Sequence, residues 1–362
     1  LAANSTGECN TAIGNSALAA NTTGTSNTAV GQQALTANTT GGNNVSIGIS
    51  SMATNTTASN NVAVGKNALT ANTTGASIVA VGAGVMSSNT TGGNNIAIGQ
   101  NALAANTTNT TNIAIGTSAL AANNAAGDNM AIGQQAGTTN TSGFHLTAIG
   151  HYSLFANTTA QGNTAVGHSA MKVTTTGATN TAVGKETLRF NTTGASNTAI
   201  GYSALCKNTT AGQNTAVGNS ALLNNTTGTV NAAHGFGALI ANTTGSANTA
   251  LGACSLDTNT TGSNNVAIGF FNMHKNTTGA SNVAVGRCTL ACNTTANENT
   301  AVGFSALCAN TTGGDNTAVG RGALQSNTTG TSNVAVGKDS MVSETTGTQN
   351  TAAGHESALD LT

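Results

Sequence analysis

The chain has 362 residues, of which 38% are hydrophobic, 2% aromatic and 5% charged, and its formal net charge is −1. So small a charge leaves no electrostatic footprint for nucleic acid or an anionic membrane surface, and the few scattered acids argue against a catalytic carboxylate pair. The hydrophobic content argues against a disordered tract, and the absence of proline suits a continuous backbone hydrogen-bond ladder.

A glycine recurs every 17 residues from Gly14 to Gly354, in 21 copies with no insertion or deletion. A stacked solenoid requires such a strict period, because each coil places its residues over those of the coil below. We number the positions of the repeat from this glycine as position one. The period predicts an all-β fold: a parallel β-solenoid of about 21 coils, forming one continuous domain over 1–362. With about 4.8 Å between coils, the rod would be roughly 100 Å long.

Each coil is expected to contain two short strands separated by two turns. Position five is Leu or Met in 19 copies, position seventeen is Ile or Val in 18, and position fifteen is mainly Thr, Val or Ile. Because side chains alternate along a strand, positions fifteen and seventeen are predicted to point inward with position five, and position sixteen outward.

Small and polar residues recur at other fixed positions. Position sixteen is Ala in 20 copies, which leaves two explanations: a tight wall within one chain, or packing against identical chains around a symmetry axis, the one we adopt. Asn at position fourteen, in 19 copies, predicts a ladder of stacked side chains. Glycines at positions one and eleven are expected to form corners with left-handed backbone conformations.

Position eight begins an Asn-x-Ser/Thr sequence in 18 copies and fails at Asn123, Thr174 and Glu344. This pattern is the acceptor for N-linked glycan on exposed loops of secreted proteins, although Asn-Thr-Thr-Gly is also good turn chemistry. The column is expected to face water. The candidate glycosylation sites are Asn4, Asn21, Asn38, Asn55, Asn72, Asn89, Asn106, Asn140, Asn157, Asn191, Asn208, Asn225, Asn242, Asn259, Asn276, Asn293, Asn310 and Asn327.

The six cysteines contain no CxxC pair and predict neither a disulfide framework nor a zinc site. Cys292 and Cys308 fall near one corner of successive coils, which leaves a bridge or two semi-buried thiols as alternatives. His151 and His168 occupy position two of adjacent coils, where surface variation is favoured over a shared metal, and His234 is predicted to lie in the core. No metal or other cofactor is predicted.

The segment Asn61-Val62-Ala63-Val64-Gly65-Lys66-Asn67-Ala68-Leu69-Thr70-Ala71 resembles the head repeat of trimeric autotransporter adhesins, and similar repeats occur in phage-fibre-like proteins. The resemblance covers nearly the whole chain. It implies a left-handed parallel β-roll in which three chains lie side by side at the tip of a surface adhesin. The Asn-Thr-Thr-Gly segment is an addition to the family's shorter turn.

The sequence therefore predicts a structural and adhesive extracellular fibre on a cell or virion surface, not an enzyme. Its expected partners are identical chains, as a homotrimer or an end-to-end polymer, with covalent glycans on the position-eight column. No nucleic acid partner is expected, and no signal peptide or membrane span is visible. The chain begins and ends in mid-repeat, as a piece of a longer fibre would. The alternative function is an ice- or glycan-binding β-solenoid module; ice binding is disfavoured because Thr at position fifteen is expected to be buried.

Overall fold

A computed structural model describes residues 1–359, in which the regular secondary structure consists of three-residue parallel β-strands. The chain divides into two compact units, one spanning Leu1–Asn180 and the other beginning at Thr181.

The first unit contains β1 (Thr11–Ile13), β2 (Thr28–Val30), β3 (Val45–Ile47), β4 (Val62–Val64), β5 (Val79–Val81), β6 (Ile96–Ile98), β7 (Ile113–Ile115), β8 (Met130–Ile132), β9 (Thr147–Ile149) and β10 (Thr164–Val166). The second unit contains β11 (Thr181–Val183), β12 (Thr198–Ile200), β13 (Thr215–Val217), β14 (Ala232–His234), β15 (Thr249–Leu251), β16 (Val266–Ile268), β17 (Val283–Val285), β18 (Thr300–Val302), β19 (Thr317–Val319), β20 (Val334–Val336) and β21 (Thr351–Ala353).

Within each unit, consecutive strands pair in parallel and in register, so that each residue lies beside the residue 17 positions further along the chain. Strands β4 and β5 show the pattern, with Val62 opposite Val79 and Val64 opposite Val81. The prediction of a parallel β-solenoid with a 17-residue coil is confirmed. No helix in the described part of the chain has the length and hydrophobicity needed to span a membrane.

Each coil has one strand, at positions fifteen to seventeen, so the prediction of two strands per coil is wrong. The rest of the coil is a series of turns in which three non-glycine positions adopt left-handed backbone angles. In one coil these are Gln33 (φ 59°), Leu35 (φ 52°) and Asn43 (φ 58°). The left-handed conformation costs a non-glycine residue about 1–2 kcal/mol, so packing must hold the coil in this path.

Glycine is required at position one for two reasons. Gly65 has φ +135°, and a Cβ atom there would lie 2.4 Å from the carbonyl oxygen of Gly82 on the next coil. Position eleven differs from the prediction: Gly41 is not in the left-handed region, and buried alanines such as Ala58 and Ala126 occupy the same position of other coils, so glycine is not required there.

The interior of most coils is lined by Ala or another small residue at position four, Ala at position sixteen, Leu or Met at position five, and Asn at positions eight and fourteen. Ala63 and Leu69 are fully buried, whereas Val62 and Val64 on the same strand are only partly buried. The predicted strand orientation is therefore inverted. The physical reason is space: a coil this narrow holds one bulky residue opposite alanines. Full burial of each leucine contributes about 1.5–3 kcal/mol.

The ladder predicted for position fourteen is confirmed. The backbone N–H of Asn44 donates to Oδ1 of Asn27 at 3.0 Å, and its Nδ2 donates to the carbonyl oxygen of Ala58 at 2.9 Å. The same pair of bonds recurs along both units, for example at Asn231, whose N–H donates to Asn214 Oδ1 at 2.9 Å. These side chains satisfy backbone groups that would otherwise be buried without a partner.

Candidate functional site

The outward side chains of the strands form an uncharged surface on each unit, which we call the strand face: positions fifteen and seventeen of every coil. Its members are Thr, Val, Ile and a few other residues, and many are well exposed. Ile13 is 60% exposed, Ile200 40% and Leu251 49%. Because position sixteen points inward, the predicted contact between identical chains through its alanines is wrong, and the exposed side chains of these strands are those of the strand face.

The strand face carries one histidine. His234, predicted to be a core residue, lies at position seventeen of β14 and is exposed. The same inversion places Thr at position fifteen outward, although the sequence analysis expected it to be buried. The signal that identified the outward face was available in the sequence: a column held at alanine is typical of a tight interior.

A shallow hollow of about 350 Å³ opens on the strand face of the first unit. Ile113, Met130 and Thr147 line it, and the carboxylate of Asp128 at its edge accepts a hydrogen bond from the Thr111 hydroxyl. Within residues 1–359, no three His, Cys, Asp or Glu side chains come together as metal ligands, there or elsewhere.

The position-eight column is a buried amide ladder, so the expectation that it faces water is wrong. In the second unit, Asn242 Nδ2 donates to Asn225 Oδ1 and to the Gly245 carbonyl oxygen, both at 2.9 Å. Its own Oδ1 accepts from Asn259 Nδ2 at 2.9 Å. Every candidate glycosylation site except Asn4 is fully buried, and Asn4 lies exposed on the first coil. A sugar on Nδ2 would lose the ladder bond and have no space within the coil.

We expect native material to carry no glycan on the buried members of this column. Glycopeptide mapping should give the unmodified mass for each peptide that contains Asn242 or one of its neighbours in the ladder. A glycan found on Asn242 of folded protein would contradict the buried ladder.

Two substitutions interrupt the ladder. Thr174 is fully buried with no hydrogen-bond partner for its hydroxyl, and Asn157 Oδ1 on the preceding coil also lacks one. Glu344 is 1% exposed, and its Oε1 accepts hydrogen bonds from the backbone N–H groups of Thr346 and Gly347. Both tolerated residues are therefore inside the coil and do not indicate a solvent-facing column.

The six cysteines are free thiols. Cys292 and Cys308 lie on adjacent coils, where the Cys292 N–H donates to the Cys308 carbonyl oxygen at 3.0 Å. Burial raises the pKa of the Cys308 thiol, and the nearby Cys292 and Cys288 thiols raise it further. A thiol with a raised pKa is a weaker nucleophile near neutral pH, so Cys308 acts as a small packing residue.

His151 and His168 do meet, as their spacing predicted. Their ring centres are 5.4 Å apart in an edge-on arrangement, and the His151 ring stacks on Tyr152 at 3.9 Å. Packing between aromatic rings thus explains why His151 and His168 lie side by side.

Position two of the second unit was interpreted from sequence as surface variation, but it forms a column of exposed aromatic and cationic side chains. A signal was present in the sequence: Phe236, Phe270 and Phe304 are spaced by two repeats each.

No protein-family model matches this chain, and a search of curated proteins finds no match to it.

Proposed function

We propose that the chain is a structural module of an extracellular fibre, in which the strand face packs against identical chains. The observation that carries this proposal is the strand face itself. In the first unit, six successive coils from β3 to β8 place only Val, Ile and Met there. Those six coils span roughly 29 Å, which makes a contiguous apolar patch of a few hundred Å², the size at which an exposed patch on a monomer is often functional.

An identical chain is the partner that fits this face. A second strand face repeats with the same coil spacing, so Val and Ile side chains of two copies can interdigitate along β3 to β8. Aliphatic columns without charge impose no electrostatic penalty on the approach of two copies. The resemblance to adhesin head repeats implies three copies and a location on a cell or virion surface, and both remain part of the proposal.

The oligomeric state tests the proposal. Purified chain should form a homo-oligomer, expected to be a trimer, by light scattering and native mass spectrometry. Three lysines on alternate coils of the strand face should dissociate it, weakening association by at least about 100-fold, because burying unpaired charges costs several kcal/mol. The variant carries Val64→Lys, Ile98→Lys and Ile132→Lys.

A matched control carries the same charges on another surface, each on the coil that precedes its strand-face counterpart: Thr40→Lys, Thr74→Lys and Thr108→Lys, all at exposed positions. It should remain oligomeric. Circular dichroism of both variants verifies that the solenoid is folded. A monomeric wild-type chain, or equal dissociation of the two variants, would refute the packing of copies through the strand face.

Ice binding is a second candidate function, favoured by the outward Thr column. In the second unit, Thr181, Thr198 and Thr215 occupy position fifteen of three successive coils. Their hydroxyl and methyl groups form a flat array with a period of about 4.8 Å. A monomeric wild-type chain that produces thermal hysteresis would favour this function over the packing of copies.

A further inference from the structure

The position-two column of the second unit carries aromatic and cationic side chains on alternate coils. From β14 to β19 its members, in order, are Phe236, Ala253, Phe270, Arg287, Phe304 and Arg321. The three phenylalanines are 61%, 45% and 48% exposed, and both arginines are exposed. Side chains this large at the surface contribute little to the folded core, so their regular placement requires another explanation.

The centre of the column has a defined geometry. The Arg287 guanidinium carbon lies 5.9 Å from the Phe270 ring centre and 6.0 Å from the Phe304 ring centre, within the range of cation–π contacts. Phe270 is also held by Phe271, whose ring packs edge-on at 4.4 Å. The aromatic rings are therefore two coils apart, at about 10 Å, with a cation between them.

The charge of this column has one sign. None of the described residues at position two of the second unit is acidic. At the far end Lys338 Nζ lies 3.5 Å from the Asp339 carboxylate, so this lysine already has a partner. No salt bridge of 4.0 Å or less engages Arg287 or Arg321 among the described residues, which leaves both guanidinium groups available to an anionic ligand.

We propose that this column binds an extended acidic polysaccharide in which uronic acids alternate with neutral sugars. Neutral rings stack their apolar C–H faces on Phe270 and Phe304, and the uronate carboxylates pair with Arg287 and Arg321. Arginine suits this role because its planar fork matches a carboxylate with two parallel hydrogen bonds.

The repeat distance of the polysaccharide agrees with the spacing of the coils. One sugar in an extended β-linked chain advances about 5 Å, close to one coil, so a disaccharide matches two coils. In such a ribbon, alternate rings are turned over, and equivalent groups therefore point the same way once per disaccharide. The alternation of aromatic and cationic residues has the same period as the alternation of neutral and charged sugars.

A single-stranded nucleic acid fits less well. It carries a phosphate at every nucleotide, and proteins that bind it without sequence preference line the backbone with a continuous positive groove. Here, from Phe270 to Arg321, a cation appears once in two coils, and the whole chain has a net charge of −1. The proposal concerns a different surface from the strand face, so it stands or falls independently of the fibre proposal.

Calorimetry with a hyaluronan decasaccharide, an alternating glucuronate and N-acetylglucosamine chain, tests this assignment on the full chain. We expect saturable binding that weakens as salt rises. Phe270→Ala and Arg287→Gln should each weaken it by about tenfold, through loss of ring stacking and of the carboxylate contact respectively. A neutral cellodextrin of equal length should bind more weakly than hyaluronan and be indifferent to Arg287→Gln.

The matched control is Phe190→Ala. Phe190 is 44% exposed and has Arg189 at 5.0 Å from its ring centre, but it lies at position seven of the same unit. Its replacement should leave hyaluronan binding unchanged. Absence of binding at millimolar hyaluronan, equal loss with Phe190→Ala, or tighter binding of an oligothymidylate of matched length would each overturn the proposal, the last in favour of nucleic acid.

Discussion

Gly235→Ala should open the stack around β14, whereas Gly237→Ala, two residues further along the same coil, should be tolerated. Gly235 has φ +137°, and a Cβ there would lie 2.6 Å from both the carbonyl carbon and the oxygen of Gly252. Two backbones therefore meet where the side chain would be, and neither can move without breaking the ladder. Backbone strain and the clash together should cost about 3–5 kcal/mol.

Gly237 provides a control with the same chemical change. Its φ is +63°, and a Cβ there would meet nothing within 4 Å. Other coils place ordinary residues at this position with similar angles, such as Ser220 (φ 58°) and Cys254 (φ 49°). The expected cost is about 1–2 kcal/mol, which is the cost of the left-handed conformation alone.

Hydrogen exchange is the appropriate measurement, because a solenoid opens locally and a single unfolding midpoint averages over coils. A loss of about 4 kcal/mol corresponds to roughly a thousandfold loss of protection. Gly235→Ala should show it in peptides that span β14 and β15, with little change at β20. Equal protection in the two variants would show that the coils are not packed as closely as the structure indicates.

Asn242→Asp should destabilise the second unit at neutral pH and recover part of that stability in acid. The amide donates to Asn225 Oδ1 and to the Gly245 oxygen, and both contacts become repulsive when an anion replaces it. Burial and these two oxygens should raise the folded pKa of the new carboxyl above its unfolded value of about 4. Stability is then greatest below the unfolded pKa and is lost as pH rises through the folded pKa.

The expected loss at pH 7 is about 3–5 kcal/mol, since the buried carboxylate would keep only the Asn259 Nδ2 donor and would face two acceptor oxygens. Hydrogen exchange between pH 4 and pH 8, corrected for intrinsic rates, would measure it. Asn242→Ala should also destabilise the coil but without the pH dependence. Asn264→Asp serves as the exposed control, because Asp315 occupies the equivalent position naturally. If Asn242→Asp and Asn264→Asp behave alike, position eight is not buried.

The sequence analysis was most reliable where it used the period. The 17-residue interval predicted parallel stacking, and Val64 lies beside Val81 as expected. The Asn column at position fourteen predicted a ladder because an amide can donate and accept along a stack. Both inferences depend only on like residues lying over like residues.

Orientation was predicted least well. Hydrophobicity favoured an inward direction for Val62 and Val64, but the fully buried residue of that strand is Ala63. Polarity favoured an exposed position for Asn242, yet its amide is buried because three hydrogen bonds satisfy it. A hydrophobic scale cannot rank these residues, since the volume of the interior and the available hydrogen-bond partners decide which ones fit.

By itself, the sequence determined the architecture: a strict period with glycine at one corner and no proline permits only a stacked coil with continuous backbone ladders. Only the tertiary structure decided which columns lie inside and which meet solvent. The reason is that the alternation of side chains along a strand defines two faces but does not determine which of them faces the interior. Closure of a narrow 17-residue coil admits alanine, leucine and paired amides, and leaves the β-branched residues and the position-two aromatic side chains on the outside.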